Sequence, residues 1–277
     1  MAETSLDPTP AAGDPDFVPP TPELLYERRG AVAFLTFNRP AARNAMTFAM
    51  YEGLYAACEH VDADDRVRVF VLRGAGNKAF VAGTDISQFQ AFSTAADALG
   101  YEQKINRYLG RLEAVRKPTI AAIRGYCVGG GAVIALACDL RLASADARFG
   151  VPVARTLGNT LATQNVGRMV ALLGDGLTKE LLFTARLLEA DEGKAVGLYN
   201  EVVPAERLEA RTLELAEQIA ANAPLTLRSI KEAVRRIREQ GRLESADDLV
   251  LMCYLSEDFK EGVSAFLEKR PPRWQGR

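Results

Sequence analysis

Three consecutive glycines, Gly129, Gly130 and Gly131, stand between an apolar strand-like run and an apolar helix-like run. Glycine permits the tight turn that joins two such elements, but three in a row cost conformational entropy that a simple turn does not require. A helix that begins at Gly130 leaves its first N–H groups without intrahelical partners, at the positive end of the helix dipole. The glycine run therefore predicts a helix start whose free N–H groups have a function.

A second segment, AFVAGTDI at residues 79–86, also reads as a strand that ends in a glycine turn. Backbone N–H groups at both turns are expected to be left unpaired by the neighbouring elements. Two such donors directed at one point form an oxyanion hole, which stabilises the negative charge that develops on a carbonyl oxygen. The simpler interpretation, that both segments are only tight turns, leaves the length of the glycine run unexplained.

Strand-like and helix-like segments alternate along the first two-thirds of the chain. The predicted strands cover residues 24–29, 31–37, 67–72, 119–123 and 140–143, and the predicted helices cover 47–61, 97–114 and 130–137. Their spacing indicates right-handed ββα units. After Pro204 the pattern is helical almost throughout, at 205–222, 225–239, 246–255 and 257–267. We therefore predict an α/β fold with a Pro-rich arm at 1–23 that is disordered or extended, an α/β core at 24–200 and a helical region at 201–277.

Composition excludes several classes of partner for this chain of 277 residues. A net charge of -2 argues against a nucleic-acid surface, and the apolar runs are shorter than the ~20 residues that cross a bilayer. The four cysteines form no CxxC pair and have no histidine at metal-binding spacing, so we expect reduced thiols, no metal and a cytoplasmic protein. The only histidine, His60, is predicted to be a solvated surface residue, which argues against a Ser/His/Asp triad.

Four segments, in the same order and at the same spacing, resemble the enoyl-CoA hydratase/isomerase (crotonase) family. They are RPAARNAM at residues 39–46, AFVAGTDI at 79–86, GYCVGGG at 125–131 with ACDLRLAS at 137–144, and the tail at 256–270. The resemblance implies a crotonase-like spiral of ββα units, with a C-terminal helical region that assembles a homotrimer or a hexamer. It also implies an acyl-CoA thioester as substrate, with coenzyme A as part of that substrate and no separate cofactor.

The same resemblance carries family roles onto individual positions. It gives the catalytic N–H donors as Thr84 and Gly130, whose backbone amides would hold the thioester carbonyl. The substrate-binding positions that it indicates are Arg43, Ala45, Ala82, Asp85, Ile86, Val133, Val153, Phe266 and Lys269. Asp85 also has a structural interpretation, because an aspartate in a turn commonly caps local N–H groups. Because both catalytic donors are backbone groups, we expect Thr84→Ala to bind the thioester nearly as well as the wild type.

Two valines stand where the family's hydratases carry their catalytic glutamates. Val133 lies three residues after Gly130, and Val153 follows the proline of an FGVP run. Neither side chain transfers a proton. The stretch that follows, residues 155–164, is polar instead of mostly apolar, and Arg155 within it is a further candidate for substrate binding. We predict Arg155 to be buried and paired with Asp139, with Glu102 or with an anionic group of the substrate.

These observations predict an acyl-CoA enzyme that stabilises a thioester enolate but lacks both usual hydratase glutamates. An isomerase, a decarboxylase or a thioester hydrolase on the same scaffold remains open, with polar groups drawn from residues 155–164, residues 87–108 or Tyr254. Tyr126 and Cys127, beside the glycine run, are weaker candidates for an acid or a nucleophile. The alternative from another class is a non-catalytic acyl-CoA binding protein, although the polar stretch favours an enzyme.

Overall fold

A computed structural model describes residues 17–89, 93–240 and 247–277. Residues 1–16 of the predicted arm lie outside these described ranges. Within the described ranges, none of the helices has the length and apolar character needed to cross a membrane.

Strands and helices follow one another along the chain in a repeating order. The strands are β1 (Leu24–Arg29), β2 (Val32–Phe37), β3 (Val69–Gly74), β4 (Ala79–Ala82), β5 (Thr119–Ile123), β6 (Tyr126–Val128), β7 (Leu140–Ser144), β8 (Arg148–Gly150), β9 (Leu188–Glu189) and β10 (Glu201–Val203). The helices are α1 (Phe48–Ala63), α2 (Ala95–Glu113), α3 (Gly130–Ala137), α4 (Val153–Thr156), α5 (Thr163–Thr184), α6 (Ala190–Ala195), α7 (Leu208–Ala220), α8 (Pro224–Gln240), α9 (Asp247–Tyr254) and α10 (Glu257–Glu268).

The strands form two sheets that rise together as a spiral. The larger sheet has the order β1-β2-β3-β5-β7-β10, and the smaller has the order β4-β6-β8-β9. Pairing is parallel except at β1 with β2 and at β8 with β9. The first ββα turn gives both of its strands, β1 and β2, to the larger sheet. In the next three turns the first strand (β3, β5 or β7) joins the larger sheet and the second (β4, β6 or β8) joins the smaller one. The predicted α/β spiral of ββα units is therefore confirmed.

Helix α1 covers one face of the larger sheet because its apolar residues repeat along one side. Met50, Tyr51, Leu54 and Cys58 are all buried there. The hydroxyl of Thr47 accepts a hydrogen bond from the Met50 N–H at 3.2 Å, as expected for an N-cap. The sequence thus predicts both the start of α1 and the face that it buries.

The opposite face of the larger sheet is covered by α7. Leu208 and Ala216 of this helix are buried in a second apolar cluster with strand residues that include Phe34 and Val71. Strand β10 lies at the edge of the same sheet, parallel to β7. The division of the chain at residue 200 stays a prediction, but β10 and α7, which follow it, pack with the strands that precede it.

His60 is not the solvated residue that the sequence predicts. Its ring stacks on Phe17 with 4.6 Å between centroids and meets the edge of Tyr26 at 5.3 Å. The prediction was wrong because Phe17 packs over the end of α1, and a segment so rich in proline gives no periodic signal of such packing. His60 is therefore half-buried in an aromatic cluster.

Candidate functional site

The Thr84 turn is held by the loop at residues 39–46. The Met46 N–H donates to the Gly83 carbonyl at 2.9 Å, and the Asp85 N–H donates to the Met46 carbonyl at 2.9 Å. In this parallel bridge the N–H and the carbonyl of Met46 both form hydrogen bonds, to the residues on either side of Thr84. The N–H of Thr84 itself points away from Met46, as expected for the central residue of a parallel bridge. The geometry therefore leaves the Thr84 N–H directed away from the loop that anchors it.

The second turn is built around Gly129, which has a positive φ of 55°. Its N–H donates to the Gly150 carbonyl at 2.9 Å, and its carbonyl accepts the Val133 N–H at 3.2 Å. That second bond begins the hydrogen-bond ladder of α3, so the N–H of Gly130 precedes the ladder. Helix α3 begins at Gly130, as the sequence predicts.

The two turns lie side by side because their strands are neighbours. Strands β4 and β6 are parallel, with Ala82 opposite Val128, so both turns leave the same edge of the smaller sheet. A Cβ placed on Gly130 would lie 3.3 Å from the Gly83 carbonyl carbon, 3.1 Å from Thr84 Oγ1 and 2.5 Å from the Tyr51 hydroxyl. Only glycine fits this space without displacing a neighbour, and the structure brings Thr84 and Gly130 together.

Two tyrosines that the sequence analysis did not select meet at Thr84. The hydroxyl of Thr84 is hydrogen-bonded to the Tyr51 hydroxyl at 3.0 Å and to the Tyr101 hydroxyl at 3.2 Å. Tyr51 comes from α1 and is fully buried, whereas Tyr101 comes from α2 and is half-buried. Burial raises the pKa of both phenols, so both stay neutral near pH 7.

The residues of the 39–46 loop surround the Thr84 turn. Arg43 accepts the Ala82 N–H at its carbonyl, at 3.0 Å, and its exposed guanidinium lies 5.4 Å from the Tyr126 ring centre. Ala45 accepts the Arg39 guanidinium at its carbonyl, at 2.7 Å. The loop thus places Arg43, Ala45 and Ala82 together at one side of the site.

Asp85 has the structural role that the sequence analysis weighed for it. Its carboxylate accepts the Ser87 hydroxyl at 2.7 Å, the Ser87 N–H at 3.1 Å and the Arg39 guanidinium at 3.0 Å. The Ser87 hydroxyl and the Arg39 charge hold the pKa of this carboxyl below its usual value. Ile86, the next residue, is 55% exposed at the start of a short 3₁₀ helix, Ile86–Phe89.

Val133 and Val153 both lie close to the bond between Gly129 and Gly150. Val133 is buried on α3, with 3% of its surface exposed, one turn after Gly130. Val153 is the first residue of α4, three residues after Gly150, and packs against the main core. Both side chains are apolar, and both belong to or pack against the main core cluster.

Arg155 is exposed, so the prediction of a buried arginine was wrong, whereas contact of Arg155 with an anionic group of the substrate stays a prediction. Residues 154–160 are all exposed, and among the described residues no carboxylate forms an ion pair with Arg155. Helix α4 is only one turn long, which leaves this polar stretch at the surface. Asp139 is used elsewhere: it accepts the Thr119 N–H at 2.7 Å and pairs with Lys231 at 2.7 Å.

Glu102 is a titratable group within the polar segment at 87–108 and was also a predicted partner for Arg155. Its carboxylate is half-buried next to Tyr101 on α2 and accepts the N–H of Ala162. Burial raises the pKa of this carboxyl above its usual value, and the Ala162 N–H opposes that effect. The hydrogen bond connects α2 to the segment that precedes α5.

The C-terminal candidates are not joined to the Thr84 and Gly130 turns. Lys269 is exposed after the end of α10, and no hydrogen bond or ion pair among the described residues connects it to either turn. The side chain of Phe266 lies outside those that the structure describes. Whether these two residues meet a substrate stays a prediction.

The remaining candidates for chemistry are weak. Cys127 is fully buried, and burial raises the pKa of its thiol, so it is a poor nucleophile. Tyr126 lies under Arg43, and Tyr254, exposed on α9, packs against Phe259 with 4.8 Å between ring centres. Within the described ranges, no group of three or more His, Cys, Asp or Glu side chains is placed to bind a metal ion.

Comparison with known proteins gives consistent matches over nearly the whole chain. The family profile described as enoyl-CoA hydratase/isomerase matches residues 27–277. A short-chain-enoyl-CoA hydratase of Clostridium acetobutylicum is 36% identical over 250 residues, which cover 89% of this chain and 95% of that protein. A 2,3-dehydroadipyl-CoA hydratase of Escherichia coli is 34% identical over 258 residues, covering 92% and 99%. The solved structure of an enoyl-CoA hydratase/carnithine racemase from Magnetospirillum magneticum has a TM-score of 0.86 at 34% identity, covering 93% and 97%.

Proposed function

This chain belongs to the enoyl-CoA hydratase/isomerase family, and from that premise we propose that the backbone amides of Thr84 and Gly130 stabilise a thioester enolate. The chain is an acyl-CoA enzyme of the hydratase/isomerase type. In the proposed site, the two N–H groups donate to the carbonyl oxygen of the thioester, where negative charge develops as the enolate forms. Coenzyme A enters as part of the substrate, and no separate cofactor takes part.

One observation carries this proposal, namely the close approach of the Gly130 turn to the Thr84 turn. A Cβ on Gly130 would lie 3.1 Å from Thr84 Oγ1, so the two peptides border the same small space. Met46 leaves the Thr84 N–H free of the loop, and the Gly130 N–H precedes the ladder of α3. A donor of this kind, held in position before the reaction begins, raises the reaction rate by about 10²–10³-fold.

Addition of water to an enoyl thioester forms the enolate, which is then protonated. In the proposed alignment Val133 and Val153 leave this addition without its two glutamates. Hydration needs an acid and a base around one water. Isomerisation, decarboxylation and thioester hydrolysis also pass through an enolate or another oxyanion. They differ in the acid, base or nucleophile that acts beside the oxyanion hole. A pocket that binds acyl-CoA without turnover is the remaining alternative, and an assay that reports binding and conversion together separates it from the enzymes.

A screen of CoA thioesters by mass spectrometry tests the proposal most directly. Binding with conversion of at least one thioester supports it, binding alone supports the non-catalytic alternative, and a failure to bind any thioester contradicts both. The screen includes crotonyl-CoA, butyryl-CoA and acetoacetyl-CoA, so that unsaturated, saturated and readily enolised acyl groups are all represented.

A pair of variants at Gly130 isolates the amide hydrogen. Proline suits the first position of a helix and removes the N–H, so Gly130→Pro is expected to keep α3. Because any Cβ here meets the Tyr51 hydroxyl at 2.5 Å, both Gly130→Pro and the matched control Gly130→Ala are made in a Tyr51→Phe background. We expect the proline variant to convert thioester about 10²-fold more slowly than the alanine variant. Equal rates in the two variants would contradict a role for the Gly130 N–H.

We also propose that the chain assembles as a homotrimer or hexamer through residues beyond about 201. Ile230, Val234 and Ile237 repeat along one side of α8 and are each more than half exposed. Ile230 and Val234 line a cleft of about 540 Å³ between α8 and the end of α3. The sequence indicates four apolar residues of α9 for this surface, Leu249, Val250, Met252 and Cys253. Met252 and Cys253 are half-buried, and the side chains of the other two lie outside those described. Sedimentation at micromolar concentration should give three or six times the chain mass, and a stable monomer would contradict the proposal.

A further inference from the structure

We propose that Tyr51 and Tyr101 are positioning residues that act through the Thr84 hydroxyl to aim the Thr84 N–H at the substrate oxygen. This inference rests on the proposed function, because it assigns the means by which one of the two proposed donors is kept in place. Neither tyrosine belongs to the set that the family resemblance indicates. The proposed function does not use the hydroxyl of Thr84, and this inference assigns that hydroxyl a positioning role.

The hydrogen bonds form a chain of three hydroxyls across three elements. Thr84 Oγ1 lies between the Tyr51 hydroxyl at 3.0 Å and the Tyr101 hydroxyl at 3.2 Å. A hydroxyl has one donor and two acceptor positions, so Thr84 can donate to one phenol and accept from the other. Tyr51 is held in the core by α1, while Tyr101 is packed against Phe48 and Phe89, with ring centres 5.9 and 4.9 Å away. The chain therefore connects the turn to two helices.

The peptide that carries the Thr84 N–H needs such a connection because Gly83 precedes it. Gly83 has a positive φ of 97°, a conformation from which a glycine rotates with little steric hindrance. Met46 fixes one side of the turn through two backbone hydrogen bonds. The two phenols fix the side chain of Thr84 from another direction, so rotation of the 83–84 peptide breaks bonds on both sides.

Tyr51 also limits the distance between the two proposed donors. Its hydroxyl lies 2.5 Å from the point where a Cβ of Gly130 would be and is bonded to Thr84 Oγ1. The same phenol oxygen therefore borders both turns. A shift of the Thr84 turn away from Tyr51 stretches the hydrogen bond between the two hydroxyls.

This arrangement predicts a separation between substrate binding and enolate stabilisation. Removal of the Thr84 hydroxyl leaves every backbone donor in place, so the affinity for a neutral thioester should stay within about threefold of wild type. Stabilisation of the enolate depends on the direction of the donor and should fall about tenfold, less than the 10²–10³ expected for a donor removed outright. Thr84→Val removes the hydroxyl at nearly constant volume, and Thr84→Ser retains it as the matched control.

The test uses acetoacetyl-CoA as an enolate probe and butyryl-CoA as a neutral thioester. The apparent pKa of enzyme-bound acetoacetyl-CoA, followed by the absorbance of its enolate, reports stabilisation of the enolate without needing the natural reaction. We expect the wild type to lower that pKa relative to the free ligand. Thr84→Val should raise the pKa of the bound ligand by about one unit above the wild-type value, and Thr84→Ser should raise it by less. One unit corresponds to a tenfold change in the enolate equilibrium.

Further variants distinguish positioning from a general loss of structure. Tyr101→Phe and Tyr51→Phe each remove one hydroxyl and should each raise the bound pKa by less than Thr84→Val. Adding either change to Thr84→Val should have no further effect, because both act through the same hydroxyl. Thermal unfolding and butyryl-CoA affinity serve as controls for each variant. If a variant changes both, the comparison uses Tyr101→Phe in its place, because a half-buried ring tolerates substitution better.

Three outcomes have different meanings. If the wild type does not lower the pKa of bound acetoacetyl-CoA, the proposed function itself is wrong. If the wild type lowers it and Thr84→Val lowers it equally, the proposed function stands and the positioning role is wrong. A parallel loss in Thr84→Ser, which keeps the hydroxyl, would equally overturn the role assigned to the two tyrosines.

Discussion

Placing carboxylates at the two valine positions tests the proposed alignment of Val133 and Val153 with the glutamates of the family's hydratases. Val133 follows Gly130 by three residues on α3, about 4.5 Å along the helix axis, so a glutamate there lies within reach of a group bound at the Gly130 N–H. Val153 begins α4 beside the carbonyl partner of Gly129. A general acid or base contributes about 10²–10⁴ in rate. We expect Val133→Glu with Val153→Glu to hydrate crotonyl-CoA at least ~10²-fold faster than the wild type.

The single glutamate variants should gain less than about tenfold, because an acid and a base that share one water act as a unit. The matched control replaces both valines with glutamine, which has the size of glutamate but cannot transfer a proton. Val133 is only 3% exposed, so a carboxyl there is desolvated and its pKa is raised, which suits an acid.

The assay is the loss of enoyl-thioester absorbance with time for the wild type, the two single variants, the double glutamate variant and the double glutamine control. Circular dichroism and thioester affinity establish that each variant is folded and binds. A folded, binding double variant that hydrates no faster than the glutamine control would refute the alignment of the two valines with the family's glutamates. Rapid hydration by the wild type would show that another pair of residues does this work.

Two further predictions concern the surroundings of the site. Asn44→Ala should lower the free energy of unfolding by about 2–4 kcal/mol, because the buried amide bonds the Arg39 N–H at 2.9 Å and the carbonyls of Ala75 and Ala79 at 2.9 and 2.8 Å. Chemical denaturation measures this, and a loss below about 1 kcal/mol would contradict it. Burial raises the pKa of Glu102 in the folded state, so the wild type loses stability as pH rises from the ordinary carboxyl pKa through the raised value. The stability of Glu102→Gln relative to wild type should therefore increase with pH over that interval, and a difference that does not change with pH would show that the group is not desolvated.

Local chemistry made much of this fold predictable. The run from Gly130 to Ala137 is small and apolar throughout, and the structure gives a helix over the same residues. Thr47 marks the start of α1 because its hydroxyl replaces a missing backbone acceptor. The adjacency of the Thr84 and Gly130 turns also follows from sequence, since two strands in consecutive ββα units deliver their ends to one sheet edge.

The hydroxyl chain was not predictable in the same way. Tyr51 and Tyr101 lie 33 and 17 positions from Thr84, and only the packing of α1 and α2 around the turn brings the three together. The predicted burial of Arg155 was wrong for a related reason. A charged residue in a polar stretch has the same sequence pattern whether it is buried in an ion pair or exposed to solvent. Helix α5 was missed since Gly174, with a φ of 76°, interrupts its periodicity.

Backbone hydrogen bonds hold the Thr84 turn, and the start of α3 holds the Gly130 turn. This has a consequence for the evolution of such a protein. An amide hydrogen belongs to every residue except proline, so a substitution at position 84 alters what surrounds the proposed donor without deleting it. In the proposed site, side chains such as Val133 and Val153 can then be substituted one at a time while the two backbone amides still bind the thioester. The capacity to hold the substrate and the choice of reaction are thus inherited separately, and a new activity can arise on a chain that never stops binding its ligand.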